Sequence, residues 1–434
     1  MSTDRPHTRS LPTAVTGRAG LLVAGPFAVY LASFHGATAA AGAAVLCFGL
    51  VVWPRPDLAL LMLLGLVPVA AVADPSGTTT YMTVMAAAGL LLFRILLTGP
   101  RLRPELVLVL IMALVVAVSC LLPQEAFPVV APWHACALLL LGLALLVASA
   151  LAPPDPRRVA QIVAGSGAGI AGYLLLDGEY ASHRLTGLGL NPNYLGAALA
   201  LPLVTAVGLV RFHRCRPWLV PAAVCALAVL ETRSRGAFVM VAVGLACVLL
   251  AGRPLWQKTV TALTIGVVVL ALPGALDSLQ GDLTGGRTPT ELNANTHVRE
   301  QAALLALRVA LDHPLRGIGY GMFPEYARSS SVLGIYINTH NDYLRLAAET
   351  GLVTLAALLA LLWLGLSRRY PADHAVLQSL CVSYAVGLLF ANALTDFLVS
   401  TPFWISLGCL LAHTASRKAV PSPLPLPLPL PPPT

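Results

Sequence analysis

His340-Asn341 is followed by nine residues and then by Gly351-Leu352-Val353-Thr354. The pair stands where a long polar stretch runs into a hydrophobic one, in the company of Asn338, Thr339, Asp342, Tyr343, Arg345 and Glu349. An imidazole changes charge near neutral pH, so His340 is placed to act as a general base or to donate a hydrogen bond to a leaving phosphate. A helix cap or an interfacial histidine is the plainer alternative. Three other clusters share this setting at the edge of a hydrophobic run. Thr232-Arg233-Ser234-Arg235-Gly236 puts two arginines in a short turn between apolar spans, where charge is expensive and usually functional; snorkelling to lipid phosphate competes with diphosphate binding. Arg299 precedes Asp312-His313-Pro314-Leu315-Arg316-Gly317-Ile318-Gly319, and its bland reading is a solvated charge beside Glu300. Leu188-Gly189-Leu190-Asn191-Pro192-Asn193 reads as an Asn-Pro-Asn turn that opens a helix, with capping and binding of sugar hydroxyls as equal readings.

The elements that must hold these residues are membrane helices. Of 434 residues 57% are hydrophobic and 11% charged, with mean hydropathy +0.79; a soluble domain carries roughly 25% charged residues. Runs long enough to cross a bilayer, about 20 residues each, recur from end to end. The predicted spans are 20–34, 37–52, 58–73, 81–97, 105–122, 134–152, 157–176, 194–210, 218–231, 236–251, 258–273, 343–366, 375–393 and 401–414. Residues 218–231 and 236–251 are short enough to be re-entrant, so twelve to fourteen crossings are expected. The class is an all-α polytopic integral membrane protein. The first span follows Arg5, Arg9 and Arg18 and reads as a retained anchor.

With a cytoplasmic N-terminus, alternate connections place 18 of the 27 basic residues inside, including Lys258 and Lys418, as the positive-inside rule requires. The nine left outside are all arginine: Arg184, Arg233, Arg235, Arg287, Arg299, Arg308, Arg316, Arg328 and Arg345. Arginine's planar fork binds phosphate bidentately and never loses its charge. The net charge of +8 is thus a topology signal rather than a nucleic-acid footprint. The eight cysteines lie in spans or in the cytoplasmic loop and imply no disulfide framework. No CxxC or HExxH pattern points to a metal, and no cofactor is expected.

Four regions follow: a membrane region 1–273, an external cap loop 274–342, a second membrane region 343–414 and a cytoplasmic Pro-Leu-rich tail 415–434. In the cap, Val298, Ala302, Leu305 and Val309 share one face of a predicted helix, Thr296 to Leu311. Pro314 ends it, and Gly317, Gly319 and Gly321 predict a flexible turn. The tail predicts polyproline II or disorder.

Together the clusters resemble the O-antigen ligase and polymerase family of bacterial cell envelopes. The family's pattern of His, then Asn, Ser or Gln, nine residues and Gly-x-x-(Gly/Thr/Tyr) is met at every position by His340-Asn341 and Gly351-Leu352-Val353-Thr354. Ser234-Arg235-Gly236 is similar to its outer arginine turn, and Arg299 before His313-Pro314 and Gly317-x-Gly319 is similar to the arginine of its periplasmic helix. Leu190-Asn191-Pro192-Asn193 is similar to its Asn-Pro-Asn segment. The resemblance spans roughly residues 180–366. It implies a GT-C-type glycosyltransferase of the inner membrane with a partly helical periplasmic loop. Such an enzyme moves a finished glycan from undecaprenyl diphosphate to lipid A-core at the periplasmic face, without metal and with inversion. On that reading His340, Arg299 and Arg235 are catalytic, and Arg233, Asn191, Asn193, Asn341 and Arg345 bind substrate. Partners are then the lipid-linked donor, the lipid A-core acceptor and membrane lipid. A polymerase or a protein O-glycosyltransferase of the same family would use the same donor. A transporter of lipid-linked anions would spread basic residues through several spans, whereas these arginines gather at one face. A scaffold would leave the His340 constellation unexplained.

Overall fold

The computed structural model of the chain describes residues 54–74, 78–97, 103–122, 132–251 and 289–418, with isolated positions at 49, 253, 256, 257, 260, 261 and 264. The expected spans at 20–34, 37–52 and 258–273 lie wholly or almost wholly outside the described residues, as do residues 274–288 and the Pro-Leu run.

Proline sets many of the helix starts, because its missing N–H and fixed φ fit the first helical position. Six of the described helices begin on it: α1 (Pro56–Ala73), α3 (Pro104–Leu121), α4 (Pro132–Leu151), α5 (Pro156–Asp177), α6 (Pro192–His213) and α9 (Pro289–Asp312). Between and after them run α2 (Thr78–Leu97), α7 (Leu219–Thr232), α8 (Arg235–Leu249), α10 (Phe323–Ser329), α11 (Asp342–Thr350), α12 (Leu352–Leu366), α13 (Ala372–Gly387) and α14 (Phe397–Lys418). The fold is all-α and polytopic: α1, α3, α5, α6 and α14 are long and apolar enough to cross a membrane, and α2, α4, α8 and α12 hold shorter apolar stretches. Burial ranks them. In α14 83% of the most apolar window is buried and in α6 72%, against 33% in α3. The first two are therefore central, and α3 turns Leu110, Leu114 and Leu121 outward as a lipid-facing surface should. Helix α6 packs against α5, α7, α8 and α13, and α14 packs against α4, α12, α13 and α1.

Two expectations need correction. The span 343–366 is two helices: the amphipathic α11 and the apolar α12, broken at Gly351 with φ 86° and ψ 170°. The span 375–393 stops at Gly387, because residues 388–396 are irregular. Residues 177–193 are more than a loop. They hold a hairpin of β1 (Glu179–Ala181) and β2 (Arg184–Thr186), with Ala181 opposite Arg184. Its two-residue turn, Ser182 and His183, has φ 49° and 58°; two left-handed residues match the twist of antiparallel strands. Ser-His carries none of the Asn-Gly signature of such turns, which is why the sequence hides the hairpin.

Candidate active site

The nine residues between Asn341 and Gly351 are α11 itself. Asn341 caps its start, its side-chain oxygen accepting from Tyr343 N at 3.0 Å and Leu344 N at 3.1 Å. Gly351 ends it, and Leu352 N then donates to the Pro314 carbonyl at 2.7 Å. His340 sits just ahead of the cap with φ 52°, left-handed backbone that few non-glycine residues adopt. Such strain persists only where surrounding contacts enforce it, and it gathers at functional positions. Here the enforcement is visible. Thr339 Oγ1 donates to the Asn341 carbonyl at 2.9 Å and accepts from Asn392 Nδ2 at 3.0 Å. The Asp342 carboxylate accepts from Leu394 N at 2.8 Å, and Asp342 N donates to the Leu388 carbonyl at 2.8 Å. The head of α11 is thus bolted to the irregular segment 388–394.

The far end of α11 is clamped by the chain that follows α9. Ile318 N donates to the Ala348 carbonyl at 3.0 Å and Gly319 N to the Glu349 carbonyl at 2.9 Å. The buried Glu349 carboxylate accepts from Gly321 N at 2.8 Å, Phe323 N at 2.9 Å and Arg345 Nε at 2.9 Å. The turn at Gly317–Gly321, expected to be flexible, is therefore a fixed one. Gly317 is needed because backbone meets backbone there: a Cβ on it would strike the Glu349–Thr350 peptide. The clamp carries α9, and so Arg299, to α11. Arg299 lies near enough to act on His340, whose pKa falls to about 4, first through burial and then through the Arg299 charge. At neutral pH the imidazole is uncharged.

Arg345 is placed differently from an offered guanidinium. It is 8% exposed, pairs with Glu349, lies 4.0 Å from Asp342 and stacks over the Tyr320 ring at 4.7 Å. Taking it from these partners would cost about 3–5 kcal/mol, as for other broken buried pairs. Its charge is used inside the protein.

The arginine turn is a joint two residues long. Arg233 is the C-cap of α7, with φ 47°, and Ser234 is the N-cap of α8, its Oγ accepting from Ala237 N at 3.4 Å. A cation at a helix C-terminus is favoured by the helix dipole and one at an N-terminus is not. The dipole thus favours Arg233 but not Arg235, the first residue of α8, which is exposed. A helix N-terminus with a guanidinium beside it is a site for an anion.

Arg184 joins this turn to the Asn-Pro-Asn segment. Its Nε donates to the Thr232 carbonyl at 2.9 Å and its Nη2 to Asn193 Oδ1 at 2.8 Å. Asn191 caps α6, accepting from Asn193 N at 3.0 Å and Tyr194 N at 3.2 Å. Gly196 lets α6 approach closely, since a Cβ there would lie 2.8 Å from Ser234 Cβ. On its other side the joint meets the segment that anchors α11: a Cβ at Gly236 would lie 3.4 Å from Phe390 Cβ.

The arginine turn and the head of α11 therefore meet through residues 388–394, Arg184 ties the Asn-Pro-Asn segment to that turn, and Arg299 is brought to His340 by the packing of α9 on α11. In the sequence Arg184 is one external arginine among nine, and nothing local marks Asn392 or Tyr320. Only Glu349 carries a usable signal, spaced four residues from Arg345 on one helix face. Groups of three or more His, Cys, Asp or Glu able to hold a metal ion are absent among the described residues. What the arrangement can do is bind an anion at Arg235 and Arg299 beside a neutral imidazole. Residues 220–359 match the family model described as O-antigen ligase, an interval that holds Arg233, Arg235, Arg299, His340, Asn341 and Arg345 but not Asn191 or Asn193. No curated protein matches the chain.

Proposed function

From the O-antigen ligase family assignment that the match over residues 220–359 supports, we propose that this protein ligates a glycan from undecaprenyl diphosphate onto lipid A-core at the periplasmic face of the inner membrane. The observation that carries the reading is His340, held neutral and strained beside Arg299, at the head of a helix anchored to the segment that also meets the Arg235 turn. In the reaction an acceptor hydroxyl attacks the anomeric carbon from the face opposite the diphosphate, forming the new glycosidic C–O bond with inversion. The C–O bond to phosphate breaks, and undecaprenyl diphosphate leaves with the electron pair. His340 takes the hydroxyl proton. Arg235 and Arg299 stabilise the negative charge that builds on the diphosphate, and do what a divalent cation would do elsewhere; preorganised charge of this kind usually lowers the barrier more than any other device in such a site. Arg233 and Asn193 line the approach. Asn191 and Asn341 act as caps that fix the edges of the site. Arg345 holds α11 in place rather than touching substrate.

The test uses purified protein in nanodiscs with undecaprenyl-diphosphate-linked glycan, lipid A-core and EDTA. Glycan should shift onto the core with wild type and fall by at least about 100-fold with His340→Ala, the usual scale for losing a general base. Lengthened lipid-linked chains with no core product would replace the ligase reading by a polymerase. Unimpaired transfer by folded His340→Ala would remove His340 from the chemistry.

A further inference from the structure

Beside the arginine-rich site lies a pocket of the opposite character. A cavity of about 350 Å³ opens between the C-terminal end of α5, the β1–β2 hairpin and the loop leading into α6. That size is within the ~300–1,000 Å³ range of small-molecule sites. Its floor is Leu174 and Leu190, and its polar lining includes Tyr173, Asp177, Glu179 and Asn191. Local stability does not explain the carboxylates. Asp177 is the last residue of α5, where the helix dipole disfavours negative charge. Glu179 is exposed on a three-residue strand. Among the described residues neither carboxylate accepts a hydrogen bond or forms an ion pair. The nearby Arg184 donates to the Thr232 carbonyl and to Asn193 Oδ1. Asn191 spends its carbonyl oxygen on capping α6, which leaves its amide N–H groups without a partner among the described residues. Two hydroxyl acceptors, an amide donor and a partly exposed aromatic ring over an apolar floor are the parts of a carbohydrate site.

We propose that this cavity binds a neutral or amine-bearing sugar residue of a glycan substrate, next to the diphosphate site. The inference rests on the ligase reading and deepens it. Phosphate and sugar are sorted by charge: the guanidinium groups of Arg235 and Arg299 hold the diphosphate, while the two carboxylates repel it and accept sugar hydroxyls. The link between the two sites is short, because Asn191 of the cavity wall lies two residues from the Asn193 that Arg184 ties to the arginine turn. The sugar belongs either to the lipid-linked donor or to the lipid A-core acceptor, and the experiment separates them.

Wild type, Tyr173→Ala and Asp177→Asn/Glu179→Gln would be purified in nanodiscs, with melting curves to establish folding. Affinity would be measured by thermophoresis for three probes: undecaprenyl-diphosphate-linked glycan, lipid A-core, and undecaprenyl diphosphate without sugar. Both variants should lose about tenfold in affinity for one glycan-bearing probe, the loss of one or two good hydrogen bonds. Loss for the linked glycan identifies a donor site, and loss for lipid A-core an acceptor site. Sugar-free undecaprenyl diphosphate should bind Tyr173→Ala as it binds wild type. Unchanged affinity for both glycan-bearing probes would overturn the sugar site while leaving the ligase reading intact. An equal loss for all three probes would overturn it as well, as a general effect. Wild type that binds neither glycan-bearing probe would sink the ligase reading and this inference together.

Discussion

At the scale of single residues the site is governed by how much charge each group is allowed to keep. His340 has a folded pKa of about 4, below the 6.5 of a free imidazole, because burial and then Arg299 oppose its protonation. The sign follows directly. Above pH 6.5 the imidazole is neutral folded or unfolded and contributes nothing to the pH dependence of stability. Between 6.5 and about 4 the unfolded chain takes a proton that the folded site refuses, so the fold loses stability as pH falls through that window. For activity, kcat/KM reports the free enzyme, so its acid limb should lie near pH 4 to 5, well below that of an exposed histidine. Arg299→Gln removes the second cause only. Its acid limb should move upward, stopping short of 6.5 because burial remains, while kcat falls by at least about tenfold with the lost cation. An acid limb that stayed in place in Arg299→Gln would mean that Arg299 does not act on His340. Arg345 and Glu349 show the complementary case. Their spacing on α11 is readable from the sequence, but their burial and their pairing with each other are not.

The element that matters most is α11, whose spacing is legible in the sequence and whose separateness is not. Nine residues between Asn341 and Gly351 resemble an interval inside one long apolar span. They are a separate helix with its own cap and its own stop. The hydropathy of Leu352–Leu366 swamps the polar face of residues 342–350, so the two run together. Gly351 carries the break. Its φ of 86° with ψ of 170° belongs to a region that is essentially glycine-only. A Cβ there would lie 2.5 Å from the Leu315 carbonyl carbon and 2.7 Å from the Pro314 oxygen, both backbone. Gly334 is the control, with φ 63° and open space around it. Gly351→Ala should destabilise by about 2–4 kcal/mol, strain plus collision, and should depress transfer by loosening the Pro314–Gly319 clamp that carries Arg299. Gly334→Ala should cost about 1 kcal/mol from strain alone. The check is thermal melting in detergent alongside transfer; equal melting temperatures for the two variants would show that the clamp is not under tension at Gly351.

For the whole molecule, the sequence reveals several of the described spans and conceals their convergence. Boundaries of the described spans are readable because apolar runs begin at Pro56, Pro104, Pro156 and Pro192, which mark first turns by backbone chemistry alone. The linking of the clusters depends on Arg184, Asn392 and Gly236, whose partners lie far away in sequence, and no local pattern encodes such pairs. The two ends of α6 offer a test of orientation. Its 22 residues rise about 33 Å, enough to cross a hydrocarbon core of about 30 Å. The helix runs from Asn191 at the site to His213, which meets Asp373 at 2.9 Å at the other end. Cys215, two residues beyond, therefore belongs to the opposite surface from Ser182 in the hairpin turn and from the exposed Ser331 after α10. In cells whose outer membrane has been permeabilised, an impermeant maleimide should label Ser182→Cys and Ser331→Cys in a cysteine-free background. Cys215, kept as the single cysteine, should label only after the inner membrane is opened. The reverse pattern would put the His340 site in the cytoplasm, where lipid A-core could still be met but a finished periplasmic glycan could not. Labelling of all three from one side would mean that α6 does not span, and the short α7 and α8 packed against it would then have to be re-entrant.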